Sequence, residues 1–260
     1  MQRVAGGEAA GSGRAPGRAR TRVRRLQRDE RRAGLEEHDV FLVADAAGSV
    51  ATGAQGVYAC DTRFLSEWRW TLDVDAAANP APAFQTLVST TPRPDRWVLE
   101  AASFPGEKQE VQLRRVVTLE ATGMRDAVTV EPFDAVPRSL MLTLSFGADF
   151  VDLFEVRAFA RRTRQVDVTV DGCGASLRYV DPTGVVQRTR VTVSTSWASQ
   201  HRVAPQLVAD EDAGTVRAQW RVTLPPGERL TVDAHAHFEH PLLVDPVRPS
   251  YQAWRAAFMR

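Results

Sequence analysis

The chain has 260 residues, 33 Lys plus Arg against 32 Asp plus Glu, 43% apolar residues and two cysteines. This globular composition excludes collagen-like and wholly disordered classes, two cysteines are too few for a disulfide scaffold, and no apolar run approaches the roughly 18 residues of a membrane-spanning helix. The formal charge of +1 is uneven: residues 1–32 hold ten arginines against Glu8, Asp29 and Glu30, a balance of +7, which leaves −6 on the rest.

Residues 1–36 are predicted to form a disordered basic arm. The first 34 are rich in Arg, Gly and Ala with almost no large apolar side chain, so they cannot bury enough surface to offset the entropy of ordering. Clustered arginines attract phosphate, but no aromatic residue is interleaved to stack bases, so neither a nucleic-acid arm nor a membrane-surface arm is expected. The pairs Arg24-Arg25 and Arg31-Arg32 resemble a twin-arginine signal, yet the charged AGLEEHDV that follows is not the apolar run an export signal needs. A cytoplasmic location is the expectation.

From residue 37 to 245 the pattern has period two. Phe64, Trp68, Trp70, Leu72 and Val74 share one parity, with Glu67, Arg69, Thr71 and Asp73 on the other, which predicts a half-buried strand. The alternation recurs at Val111–Leu119, Leu140–Phe146, Val166–Val170, Val216–Leu224 and Leu230–Phe238. Turn-prone pieces lie between, including Asp75–Pro82, Asp171–Gly174, Asp181–Gly184 and Pro225–Gly227. Many short alternating strands predict an all-β, antiparallel sandwich, and the absence of G-x-G-x-x-G or a P-loop argues against nucleotide binding. No cofactor is implied. Residues 246–260 change period again: Tyr251, Trp254 and Phe258 at i, i+3 and i+7 predict the start of a helix.

Three motifs carry chemistry. Cys60-Asp61-Thr62-Arg63-Phe64-Leu65-Ser66 sets an acid and an arginine two apart before an apolar strand, a pair that reads as a carboxylate or sugar contact or as a structural ion pair. In Gly147-Ala148-Asp149-Phe150-Val151-Asp152-Leu153-Phe154-Glu155-Val156-Arg157, three acids interrupt an apolar stretch. They could be glycosidase carboxylates or sugar acceptors, or a polar turn tied together by Arg157. His235, His237 and Glu239 fall on one strand face, with His240 just beyond, a weak candidate metal set or simply the wet side of a strand. Trp68, Trp70, Trp97, Trp197 and Trp220 could stack on sugars, although tryptophans at strand spacing are usually core.

In their order along the chain, the Phe41-Leu42-Val43 strand, Val57-Tyr58, the Asp-Thr-Arg-Phe-Leu-Ser run and the Asp-Phe-Val-Asp-Leu-Phe-Glu-Val-Arg run resemble the N-terminal domain of bacterial and archaeal glycogen debranching enzymes of the amylo-alpha-1,6-glucosidase type. Val57 and Cys60 depart from the family pattern, as does Gly147-Ala148 where an acid often precedes Asp-Phe. Tyr251 and Trp254 resemble the Tyr-x-x-Trp that opens the linker to the next domain. The resemblance covers about residues 38 to 257 and implies a supersandwich-like domain that supports a catalytic (α/α) barrel. That barrel is expected to lie outside this chain, encoded separately or lost. The acids here are therefore not expected to be general acid and base. Asp61, Arg63, Asp149, Asp152, Glu155 and Arg157 become candidates for the glucan-cleft rim or the domain interface, and alpha-glucan a candidate ligand. A free-standing carbohydrate-binding or interaction module and a metal-dependent sandwich enzyme using His235, His237 and His240 are the alternatives.

Overall fold

The computed structural model describes residues 33–74, 84–104, 110–133, 135–158, 164–197 and 203–243. The predicted arm up to residue 32, and the predicted helix with Tyr251 and Trp254, lie outside the described residues. In chain order the strands are β1 (Ala33–Glu37), β2 (Val40–Ala44), β3 (Gly56–Ala59), β4 (Thr62–Leu65), β5 (Glu67–Val74), β6 (Phe84–Arg93), β7 (Arg96–Ser103), β8 (Val111–Glu120), β9 (Gly123–Pro132) and β10 (Arg138–Gly147). After helix α1 (Leu153–Ala158) come β11 (Asp167–Asp171), β12 (Gly174–Val180), β13 (Val186–Trp197), β14 (Gln206–Asp210), β15 (Thr215–Leu224) and β16 (Leu230–Glu239).

All pairings are antiparallel and build three sheets: β1-β2-β3-β4, then β14-β15-β10-β5, and an eight-stranded sheet in the order β11-β12-β13-β16-β9-β8-β7-β6. The two four-stranded sheets are joined where Val50 bridges Trp68. One hydrophobic core takes buried side chains from all three sheets, including Phe64, Trp68, Leu142, Phe146, Trp220 and Phe238. This is the predicted all-β antiparallel sandwich.

Period-two burial shows why these residues form strands. Along β16, Leu230, Val232, Ala234, Ala236 and Phe238 are buried while the residues between them are half-exposed, as a sheet with one wet face requires. Three expectations are corrected. The single strand predicted from Phe64 to Val74 breaks at Ser66, whose N–H donates to Gly147 O at 2.9 Å, so β4 and β5 belong to different sheets. The sheet starts at Ala33, so residues 33–36 belong to β1 and not to the arm. Val170 was expected to face inward; β11 is an edge strand and Val170 is exposed.

A buried ion pair joins β8 and β9 on the core face of the eight-stranded sheet. The Arg115 guanidinium on β8 donates from Nε to Asp126 Oδ1 and from Nη2 to Oδ2, at 3.0 and 2.7 Å, with both residues at most 3% exposed. Trp68 and Trp70 of β5 donate their indole N–H groups to Asp126 Oδ2 from the opposing sheet, at 2.6 and 2.9 Å. The carboxylate thus holds two sheets and one cation, and its lone pairs are satisfied, as a buried charge requires.

Candidate functional site

The two sequence motifs meet. The β3–β4 hairpin pairs Ala59 with Thr62, leaving the two-residue turn Cys60-Asp61, with φ of 47° and 60°. Positive φ at both central residues is the turn whose twist matches the flanking strands, usually built from Asn-Gly; side chains at both positions make it strained. β4 then runs beside the second motif. Arg63 N–H donates to Val151 O at 2.9 Å, Leu153 N–H donates to Asp61 O at 2.8 Å, and Thr62 bridges Asp152. Phe150 itself takes a positive φ of 49°.

Arg63 is the centre of this junction, 3% exposed. Its guanidinium makes a two-pronged bond to Asp149, Nε to Oδ1 at 3.0 Å and Nη2 to Oδ2. Nη1 donates to Gly53 O at 2.8 Å and to Gln55 O at 3.1 Å, which ties down the loop before β3. Burial works against the Arg63 charge, but the hydrogen bonds and charge of Asp149 outweigh it and hold its pKa above the ordinary value. Tyr58 lies beside it, its hydroxyl donating to Ala54 O at 2.8 Å and its ring stacked on Phe41 at 4.8 Å. Burial raises the Tyr58 pKa, and Arg63 opposes that rise.

The second motif closes the junction with α1. Asp152 Oδ1 accepts the Phe154 N–H at 2.7 Å, capping the first turn. Glu155 is gripped by Arg164 through two bonds of 2.9 and 3.0 Å, and the Arg164 guanidinium lies 5.6 Å from the Tyr179 ring centroid. Burial disfavours the Arg164 charge, yet Glu155 outweighs it and raises its pKa. Phe150 stacks on Tyr179 at 6.0 Å and meets Phe64 edge-on at 5.6 Å.

Of the six residues predicted, Arg63 and Asp149 are directly paired, Asp61 and Asp152 serve through turn, bridge and cap, and Glu155 joins by way of Arg164. Arg157 does not tie the acids together: Arg63 holds Asp149, Arg164 holds Glu155, and Arg157 is exposed on the last turn of α1. Sequence reasoning missed Arg164 and Tyr179, which carry no motif signal of their own, and quoted Tyr58 only as part of the first motif, without a role. It also missed Arg115 and Asp126, although each lies on the apolar parity of its strand, and a charge there is a readable sign of a buried partner.

The histidines are not gathered into a metal set. His235 Nε2 lies 2.9 Å from Glu120, His237 Nδ1 lies 3.3 Å from the Thr122 hydroxyl, and Glu239 binds Arg188 and Arg190. His240 leaves the strand and meets Phe64 edge-on, while its Nδ1 accepts the Leu242 N–H at 3.1 Å. Among the described residues no three His, Cys, Asp or Glu side chains are placed to hold a metal ion. An open groove of about 450 Å³ on this face is lined by Glu120, Arg125, Cys173, Thr192, Asp233 and His235. The tryptophans are mainly core: Trp68, Trp97 and Trp220 are at most 2% exposed. No helix among the described residues is long and apolar enough to cross a membrane.

Among solved structures, a protein assigned as a kojibiose phosphorylase from the human microbiome aligns with a TM-score of 0.53 at 8% identity, over 87% of this chain and 32% of that one. A protein assigned as an aldose 1-epimerase from Escherichia coli K12 aligns at 0.45 and 9% identity, over 80% of this chain and 99% of that one. A galactose mutarotase-like protein from Clostridium acetobutylicum aligns at 0.45 and 10% identity, over 80% and 94%. At such identity the first likeness speaks to fold alone, and the chain spans about a third of the phosphorylase. No curated protein matches the chain. Residues 35–235, which include both motifs, match the model of the N-terminal domain of some glycogen debranching enzymes, and the chain belongs to that family.

Proposed function

We propose that the chain serves alpha-glucan metabolism in the cytoplasm as a non-catalytic β-sandwich that supports an alpha-1,6-glucosidase (α/α) barrel. The family match over residues 35–235 supports this reading. The observation that carries it is how the motif charges are used. Glycoside hydrolysis needs two carboxylates flanking an open space, one of them available to donate a proton. Here Asp149 is clamped by Arg63, Glu155 by Arg164, and Asp152 caps a helix. These bonds commit the acids of the second motif to a rigid junction, which supports the reading of a supporting domain.

The competing reading is a free-standing carbohydrate-binding module. Native electrophoresis in gels cast with glycogen separates the two. A supporting domain migrates as it does in glycogen-free gels, whereas clear retardation by glycogen means that the sandwich itself binds glucan.

A further inference from the structure

The eight-stranded sheet ends in β6, a strand of ten residues that has only β7 as a hydrogen-bonded neighbour among the described residues. Every residue from Gln85 to Arg93 is exposed; Leu87 is 49% exposed and Val88 43%. An open edge of this kind presents a row of unpaired N–H and C=O groups, a template for another strand. The strand is held firmly from its inner side. Phe84 packs on the main core, and Ser89 Oγ accepts the indole N–H of buried Trp97 at 3.1 Å. Little further ordering is therefore needed before a partner can pair with it.

Charge decides which partner fits. Two copies that pair antiparallel about a two-fold axis set a strand against its own sequence, so charges placed symmetrically about the axis meet their like. At the other end of the same sheet, β11 begins and ends with Asp167 and Asp171, which such pairing would set against each other. From Phe84 to Pro92, β6 has no charged residue, and its one charge, Arg93, is bonded to Asp95 at 2.9 Å. The register of β6 on β7 fixes where the axis falls. It shifts between Thr86 and Val88, and again between Thr90 and Arg93, so Leu87 stands between two regular stretches, Phe84–Thr86 and Val88–Thr90. A lone bulge bends an edge away from a straight partner, but a two-fold axis through Leu87 matches it with the same bulge in the other copy. Phe84–Thr86 of one copy then runs beside Val88–Thr90 of the other. Pro92, which has no N–H to offer, lies outside the paired stretch. We propose that β6 is a self-association edge, through which two copies of this chain join their eight-stranded sheets about a two-fold axis at Leu87. Leu87 faces its own copy there, and Val88 faces Thr86 of the other copy. This contact is independent of the Arg63–Asp149 junction and goes beyond the supporting role.

Analytical sedimentation of the full 260-residue chain over a dilution series tests this. Wild type is expected to show the mass of two chains when concentrated and of one when dilute. Leu87→Lys, which sets two like charges face to face, is expected to weaken association by about tenfold or more. Val208→Lys, at an exposed apolar position on β14, is the control and leaves association unchanged. Since Leu87 is exposed, Leu87→Lys keeps the wild-type far-ultraviolet circular dichroism, which separates lost pairing from lost folding. A second readout uses the axis itself, where a residue meets its own copy. With the exposed Cys173 replaced by serine, mild oxidation is expected to link Leu87→Cys chains in pairs, well above the level in Cys173→Ser alone. A wild-type chain that stays single at every concentration overturns the proposal, as does a Leu87→Lys chain that pairs as wild type does. Pairing without the Leu87→Cys cross-link overturns the two-fold at Leu87.

Discussion

Arg63 shows how one residue turns two distant motifs into a single object. A guanidinium offers five donors in a rigid fork, and here the fork spans Asp149, Gly53 O and Gln55 O, so an 86-residue separation closes on one side chain. Lysine could not hold that geometry. Tyr58 is the titratable witness of the junction. Because burial raises its pKa in the folded state, the native chain holds the phenol proton more tightly than the unfolded chain does. Its contribution to stability is complete below the ordinary value of 10.0 and is lost as pH rises through the higher folded value. Denaturant titrations at pH 9 and pH 11 should show wild type losing more stability across that interval than Tyr58→Phe. At neutral pH the same variant costs about 1 kcal/mol for the lost bond to Ala54 O. Identical losses over the alkaline interval would mean that Tyr58 is not held as described.

At the scale of the element, the β3–β4 turn is the least comfortable piece of the junction. Asp61 holds a φ of 60° with a side chain, a region glycine occupies without steric penalty. Its side chain is exposed and its backbone carbonyl makes the bond to Leu153. Asp61→Gly should therefore raise unfolding stability by about 0.5–1 kcal/mol, read from the midpoint of urea denaturation, with the fold unchanged. A fall in stability would show that the carboxylate does local structural work. Elements of this kind were unevenly legible in the sequence. β15 and β16 could be read because each has one buried and one wetter face, so their apolar residues alternate, and β10 because its leucines alternate with polar residues even though Thr143 and Ser145 are themselves buried. β13 could not, since Gln187 and Thr189 occupy inward positions, where the Thr189 hydroxyl donates to Phe64 O at 2.7 Å. β6 escaped because an edge strand exposed along nearly its whole length has no apolar parity to read.

For the molecule as a whole, the sandwich class followed from period and turn spacing, and both motifs were visible as residue types. What one dimension could not supply was their meeting. Nothing in the spacing of Arg63 and Asp149 announces a two-pronged bond. Arg157, the arginine nearest the acids in sequence, is not the one that holds them, because α1 turns it outward while Arg164 reaches back to Glu155. Nor could the sequence show that Asp126, paired with Arg115 in its own sheet, accepts the indole N–H groups of Trp68 and Trp70 from the other layer. In both motifs the polar groups hold shape, as the proposed supporting role requires. The most direct measurement is glucose release from a branched limit dextrin by the purified chain, assayed alongside an intact debranching enzyme. A supporting domain gives no glucose above background while the enzyme releases it; sustained turnover by the chain alone would show that the sandwich is itself catalytic.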